Sequence, residues 1–160
     1  MKIEFSPIGI IHTPFKNVNN MPVQPTADAS AEGWIEIYDE FSEGLADLGG
    51  FSHIYLIFHL HESKGSRLKV IPFLDTVERG IFSTRSPARP NPVGLSLVKL
   101  VSVTGNILKI QGLDILDGTP LIDIKPFVPM FEDAGDVRTG WFSGKEKEIQ
   151  GKLSDGRFDD

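Results

Sequence analysis

Cysteine is absent from the 160 residues. That removes disulfide frameworks, thiolate metal sites and cysteine nucleophiles together, and it suits a reducing compartment. Long apolar runs are missing as well: the longest, Ile54 to Phe58, is far short of the roughly 20 residues a membrane helix needs. Glu4 and Pro7 interrupt the N-terminus where an export signal requires an unbroken apolar core, so no signal is expected and the cytoplasm is the expected location. Basic residues are missing between Lys16 and Lys64, a stretch that holds Asp28, Glu32, Glu36, Asp39, Glu40, Glu43, Asp47 and Glu62. With a net charge of −6, this argues against a general affinity for nucleic acid, because Lys and Arg neutralising phosphate supply most of the non-specific term. There is no phosphate-cradling Walker loop and no Gly-x-Gly-x-x-Gly, and strands do not alternate with long helices. A doubly wound nucleotide fold is therefore not expected.

What is present is a reversal of charge in the middle of the chain. Arg79, Arg85, Arg89 and Lys99 follow one another without an intervening acid. Between them lies Thr84 to Ser96, where Pro87, Pro90 and Pro92 fix their own φ and push each preceding residue out of the helical region. The loop is stiff before anything binds. Guanidinium groups held in fixed places are suited to an anionic or carboxylate-bearing ligand, and loops on a scaffold carry binding groups disproportionately often. A solvated surface turn is the alternative.

Around that loop the pattern is mostly strands. Ile3 to Ile11 reads as a first strand kinked at Pro7, with His12 a strand-end residue, and Gly33 to Tyr38 as a second. Asp39 then reads as an N-cap, with Phe41, Leu45 and Leu48 at helical spacing and Gly49-Gly50 as the stop. In that reading Glu40 and Glu43 belong to the helix rather than to a catalytic pair. Phe51 to His61 is near-continuously apolar and predicts a core strand covered on both faces. Lys69 to Leu74 predicts an edge strand and Gly80 to Ser83 a short one, while Leu95 to Val103 and Ile107 to Leu113 predict a hairpin turned at Thr104-Gly105-Asn106. Asp117-Gly118 is a turn dipeptide, and Leu121 to Phe127 the last strand. The fold class that follows is mainly β: a small barrel-like antiparallel and mixed sheet with one or two short helices, and no Rossmann sheet. Residues 1–131 form the expected domain. Residues 132–160 are the expected extension, a mobile tail or an arm for a neighbouring subunit, with only Trp141-Phe142 arguing for a fixed contact.

Candidate chemistry falls on few residues. His53, His59 and His61 share one face of the predicted strand, but no third ligand matches His59 and His61, so no metal site is assigned. His61, beside Glu62 at the strand's end, is better placed to meet a ligand. Asp123 lies inside an apolar strand and needs a partner, for which Lys125, Arg85 or Arg89 are candidates.

The run Gly80-Ile81-Phe82-Ser83-Thr84-Arg85-Ser86-Pro87-Ala88-Arg89-Pro90-Asn91-Pro92-Val93-Gly94-Leu95-Ser96 resembles the signature of the TsaA-like, or TrmO, family. Ile8 to Lys16, Gly50 to Tyr55, and Leu113 to Pro129 with Asp117-Gly118-Thr119-Pro120 agree with it in the same order. The resemblance implies an S-adenosylmethionine-dependent methyltransferase built on a β-barrel, usually a homodimer. Its substrate would be tRNA carrying threonylcarbamoyladenosine, methylated at the exocyclic nitrogen. It places cofactor contacts on Gln24, Pro25 and Thr26, on His61 and Glu62, on Arg85 and Leu95, and on Leu113, Asp114, Ile115, Leu116 and Asp117. His61 or Asp123 is the candidate base, and Arg89, Asn91 and Lys125 are candidate substrate contacts. A cofactor- or RNA-binding barrel without catalysis, or a methyltransferase for another small substrate, is the alternative.

Overall fold

The hairpin read from alternation is the spine of the fold. In the computed structural model, which describes residues 1–19, 21 and 30–149, β6 (Val93–Thr104) and β7 (Ile107–Gln111) pair antiparallel across the two-residue turn Gly105-Asn106. Gly105 has φ of 59°, which a side chain would disfavour and which matches the right-handed twist of the flanking strands. The Asn106 amide donates to the Ile37 carbonyl at 2.9 Å and ties the turn to the neighbouring strand.

Four further strands close the sheet: β1 (Gly9–His12), β2 (Glu32–Ile37), β3 (His53–His59) and β8 (Thr119–Pro126). Their order is β1-β2-β7-β6-β3-β8, closed back on β1, and every pairing is antiparallel. Closure removes the unpaired edges that an open sheet would expose. Period-2 alternation sends Ile11, Ile35, Ile54, Leu56, Leu108 and Leu121 inward, and none of these is detectably exposed. So narrow a barrel is filled by its own side chains and leaves no channel. A separate two-stranded ribbon, β4 (Lys69–Val70) with β5 (Arg79–Gly80), stands outside it. One short helix, α1 (Glu146–Ile149), follows the barrel.

Several expectations are corrected. β3 is covered on one face only: Ile54, Leu56 and Phe58 are buried while His53, Tyr55 and Ile57 are half-buried on the outside, because a closed barrel has a single interior. The first strand begins at Gly9 rather than Ile3. The predicted helix after Asp39 is instead two 3₁₀ turns, Asp39–Leu45 and Leu48–Gly50, broken where Asp47 adopts φ of 64°. Only Leu45 and Leu48 anchor it in the core, and Gly44, Gly49 and Gly50 weaken any longer helix. Lys69 to Leu74 is extended over two residues only, and Ile81–Ser83 is a 3₁₀ turn. No parallel pair is found among the described strands, so the sheet is not mixed.

Candidate functional site

The end of β3, the start of β6 and the connection from β7 to β8 meet at one end of the barrel, where the Pro-rich loop lies across them. Between loop and barrel is a cavity of about 440 Å³, within the range of small-molecule sites. The loop over it is pinned by its own polar groups. Thr84, Ser86 and Ala88 are buried, and the Thr84 hydroxyl donates to the Ile81 carbonyl at 2.9 Å. Arg89 Nη1 donates to the carbonyls of Thr84 and Ser86 at 3.0 and 3.2 Å, so this arginine holds the loop's shape. Neighbouring segments fix the far side: the Ser63 hydroxyl donates to Pro87 O at 2.8 Å and the Arg67 N–H to Ala88 O at 3.0 Å. Arg85, exposed between two buried residues, lines the cavity.

Gly94 sits at the cavity wall against Phe58, so close that a Cβ there would run into the Cε2 and Cζ atoms of the ring. Phe58 is packed against the core on one side and lines the cavity on the other, so its ring would have to shift to make room. Gly94→Ala is therefore expected to cost about 1–3 kcal/mol by overpacking, measured as a lowered Tm. An unchanged Tm would show that the ring has room to move.

Asp114 is the half-buried acid of the site, and it lines the cavity together with Arg85. Ser96, 2% exposed on β6, donates to Asp114 Oδ1 at 2.6 Å. Burial pushes the Asp114 carboxyl up to about 6, against the opposing pull of the Ser96 hydrogen bond, its own backbone N–H and the Arg85 charge. His61, which also lines the cavity, follows the end of β3 in a turn. Its Nδ1 lies 3.3 Å from Thr119 Oγ1, and that hydroxyl already donates to Leu116 O at 2.6 Å. A hydroxyl has one proton to give, so the hydrogen between the two belongs to His61 Nδ1. In the neutral ring the lone pair is then on Nε2, 3.7 Å from Glu62 Oε1.

The described site residues divide clearly. His61, Glu62, Arg85, Arg89, Leu95, Asp114, Ile115 and Leu116 line the cavity. Gln24, Pro25 and Thr26 lie outside the described residues. Leu113 is fully buried in the barrel core. Asp117 is occupied structurally: Lys16 Nζ donates to it at 2.6 Å and the Thr13 N–H at 2.9 Å, which fastens the chain leaving β1 to the turn before β8. The Lys16 bond, before all other causes, holds the Asp117 carboxyl below its usual range. Asp123 and Lys125 pair with each other at 2.8 Å and do not line the cavity. The register shift between Ile57 and Phe58 sets Asp123 beside outward-facing Ile57, so the expected buried aspartate is a half-exposed surface ion pair. Asn91 is exposed off the cavity, its carbonyl accepting from the Val93 N–H at 2.8 Å. His59 and His61 do not share a strand face, because β3 ends at His59.

One feature escaped the sequence reading and a second was signalled there only by the Trp141-Phe142 pair. Ser96 occupies an inward position of β6, between Gly94 and Val98, and a hydroxyl at interior parity requires a partner; that parity was the available signal. The other is the segment after the barrel. It does not trail away over its described part but folds onto its own chain, where Trp141 Nε1 donates to Ser83 O at 2.8 Å and Lys145 Nζ to Leu74 O at 2.7 Å. Asp75, 7% exposed, takes Arg79 Nη2 at 2.7 Å and Lys145 Nζ at 3.4 Å. The Arg79 hydrogen bond first of all lowers its carboxyl to about 2, so this anchor is fully charged above about pH 4 and is lost only as pH falls towards 2.

Comparison with known proteins agrees with this geometry. The family model described as tRNA-methyltransferase O N-terminal domain matches residues 10–133. A Pyrococcus abyssi protein named a probable S-adenosyl-L-methionine-binding protein is 49% identical over 99% of this chain and 86% of its own. The Escherichia coli tRNA (adenine(37)-N6)-methyltransferase is 36% identical over 86% of this chain. A crystal structure of TrmO from Pseudomonas aeruginosa superposes with a TM-score of 0.74 at 35% identity over 88% of this chain. The chain spans 63% of the length of each of those two bacterial proteins. With a family match across most of its length and relatives this similar, the chain belongs to the TrmO family.

Proposed function

We propose that the chain is an S-adenosylmethionine-dependent tRNA methyltransferase, and that its finer target is the exocyclic nitrogen of threonylcarbamoyladenosine. The observation that carries the reading is the meeting of Arg85 and Asp114, on separate segments, around one cavity. The donor set fits the cofactor. Arg85 supplies a planar fork for a carboxylate, Asp114 a carboxylate for a cationic centre or ribose hydroxyls, and Leu95, Ile115 and Leu116 an apolar bed for an adenine. Bound there, S-adenosylmethionine supplies an electrophilic methyl group.

The chain's own part is alignment and proton removal. The rigid loop fixes Arg85 so that the cofactor's long axis is set before the acceptor arrives, and such preorganisation is where most of the acceleration of a simple displacement lies. His61 is the base: its Nδ1 proton is committed to Thr119, which leaves Nε2 to take the proton from the accepting nitrogen. Asp123, off the cavity, has no such role. Lys64, Arg67 and Arg85 are exposed around the loop and give this end of an acidic molecule a local basic rim for RNA. Asn91 and Lys125 would meet RNA only outside the cavity. The homodimer implied by the resemblance belongs to the same proposal and is checked by light scattering.

The test is methyl transfer from isotopically labelled S-adenosylmethionine to tRNA, followed by mass spectrometry of the nucleosides. Labelled adenosine is expected, and a requirement for the threonylcarbamoyl group on the acceptor settles the finer target. Cofactor binding without label in any RNA would leave a binding module or a different acceptor.

A further inference from the structure

Trp141 and Phe142 lie beyond the residues matched by the family model, yet both line the cavity. Their rings stack at 3.9 Å between centroids and 26° between planes. The pair is held from several directions. Trp141 donates to Ser83 O, and its ring carries Arg79 at 5.5 Å and Lys145 at 5.2 Å. Those two cations converge on Asp75. Thus a nearly buried carboxylate and two cations outside the barrel fix one aromatic pair at the cavity wall. A flexible tail needs no such anchoring, and a half-buried aromatic surface held rigid beside a basic rim has the chemistry that stacks a nucleic-acid base. Arg85 and Asp114 already account for a cofactor from the loop and barrel sides, and the strap contributes the wall that neither supplies.

We infer that the Trp141–Phe142 strap, with Phe142 presenting its outer face and Trp141 backing it, is the stacking wall for the methyl-accepting base, and that this acceptor-side surface is supplied by the segment after the family domain. The inference rests on the reading of the cavity as a methyl-transfer site. Asp75 is a positioning residue in this arrangement, acting through Arg79 and Lys145.

The chain has two tryptophans, and Trp34 does not line the cavity but stacks on His12 at 4.9 Å. Trp34→Phe therefore leaves Trp141 as the sole reporter. The probe is an anticodon stem-loop RNA with threonylcarbamoyladenosine following the anticodon, added to Trp34→Phe protein saturated with S-adenosylhomocysteine. Saturable quenching of Trp141 by the RNA is expected. In the otherwise unaltered chain, Trp141→Ala and Phe142→Leu are expected to raise KM for RNA about tenfold, with kcat and the calorimetric Kd for S-adenosylmethionine within about twofold. Phe142→Leu keeps an apolar side chain, so it guards against loss of the strap's packing in the Ala variant. No quenching by RNA overturns the inference, as does a loss of cofactor affinity with unchanged KM for RNA. Quenching without methyl transfer by the unaltered chain would sink the methyltransferase reading and leave the base-stacking wall standing, whereas methyl transfer without quenching does the reverse.

Discussion

Replacing Asp114 with asparagine is expected to give a protein that melts higher at pH 8 and binds S-adenosylmethionine poorly. The Asp114 carboxyl is raised from an ordinary 3.8 to about 6 by burial, so the folded state holds its proton more tightly than the unfolded chain does. The stability this group contributes is full below about pH 4 and is lost as pH rises through about 6. At pH 8 the charged form costs the fold roughly 2–3 kcal/mol. Asparagine stays neutral at every pH and can still accept the Ser96 hydroxyl through Oδ1. Thermal melts at pH 4 and pH 8 check this: the variant's advantage should grow between them, and a variant less stable at pH 8 would show that burial of the charge is not a cost. A carboxylate kept at such expense needs a ligand that rewards it, and a cationic one would favour its ionised form. Affinity for the cofactor should then rise with pH up to about 6 and level off, with the slope absent in Asp114→Asn. A flat profile in both proteins would remove Asp114 from the site.

Arg85→Ala should do the opposite to stability and the same to binding. Arg85 is exposed, and the loop's shape is held by Thr84, Ser86 and Arg89, so the fold should survive with its Tm little changed at pH 5. A hydrogen-bonded interaction with a charged group is worth about 1.5–3 kcal/mol, which corresponds to roughly 10- to 150-fold in the Kd for S-adenosylmethionine by calorimetry. Arg85→Lys keeps the charge without the planar fork and should recover only part of it. The Arg85 charge also opposes the rise of the Asp114 carboxyl. Its removal should move the pH-dependent loss of stability upward, a coupling that a loop arginine remote from Asp114 could not produce. Unaltered affinity would take Arg85 out of the site.

The parts of this molecule legible in its sequence are those set by local rules. Alternation along β6 and β7 and the Gly105 turn specify the hairpin without reference to anything distant, and the spacing of prolines specifies a stiff loop. The assignments that failed depended on closure. Whether β3 has one buried face or two is decided by its neighbours β6 and β8, not by its own residues. Asp123 looks inward if the strand is read in perfect register and lies outward because of a single shift opposite Ile57. The histidines at 59 and 61 separate because the strand ends between them, and no local signal marks that end. Within the site, Arg85 was conspicuous for the rigidity around it, whereas Asp114 was one of several acids near a turn until the barrel placed it against Ser96. Trp141 gave only the hint that an aromatic pair in polar sequence has something to cover.

The solid interior of the barrel divides the labour of this chain. Aliphatic side chains that never see solvent secure the scaffold, while the candidate site gathers at one mouth, on strand ends and the segments that join them. Mutations that retune which molecule is accepted can accumulate on those segments without drawing on the residues that resist heat. The far end of β6 delivers its turn at Gly105, nine residues along the chain from Ser96, the last residue of that strand to line the cavity. A fluorophore or surface tether attached there would leave catalysis undisturbed.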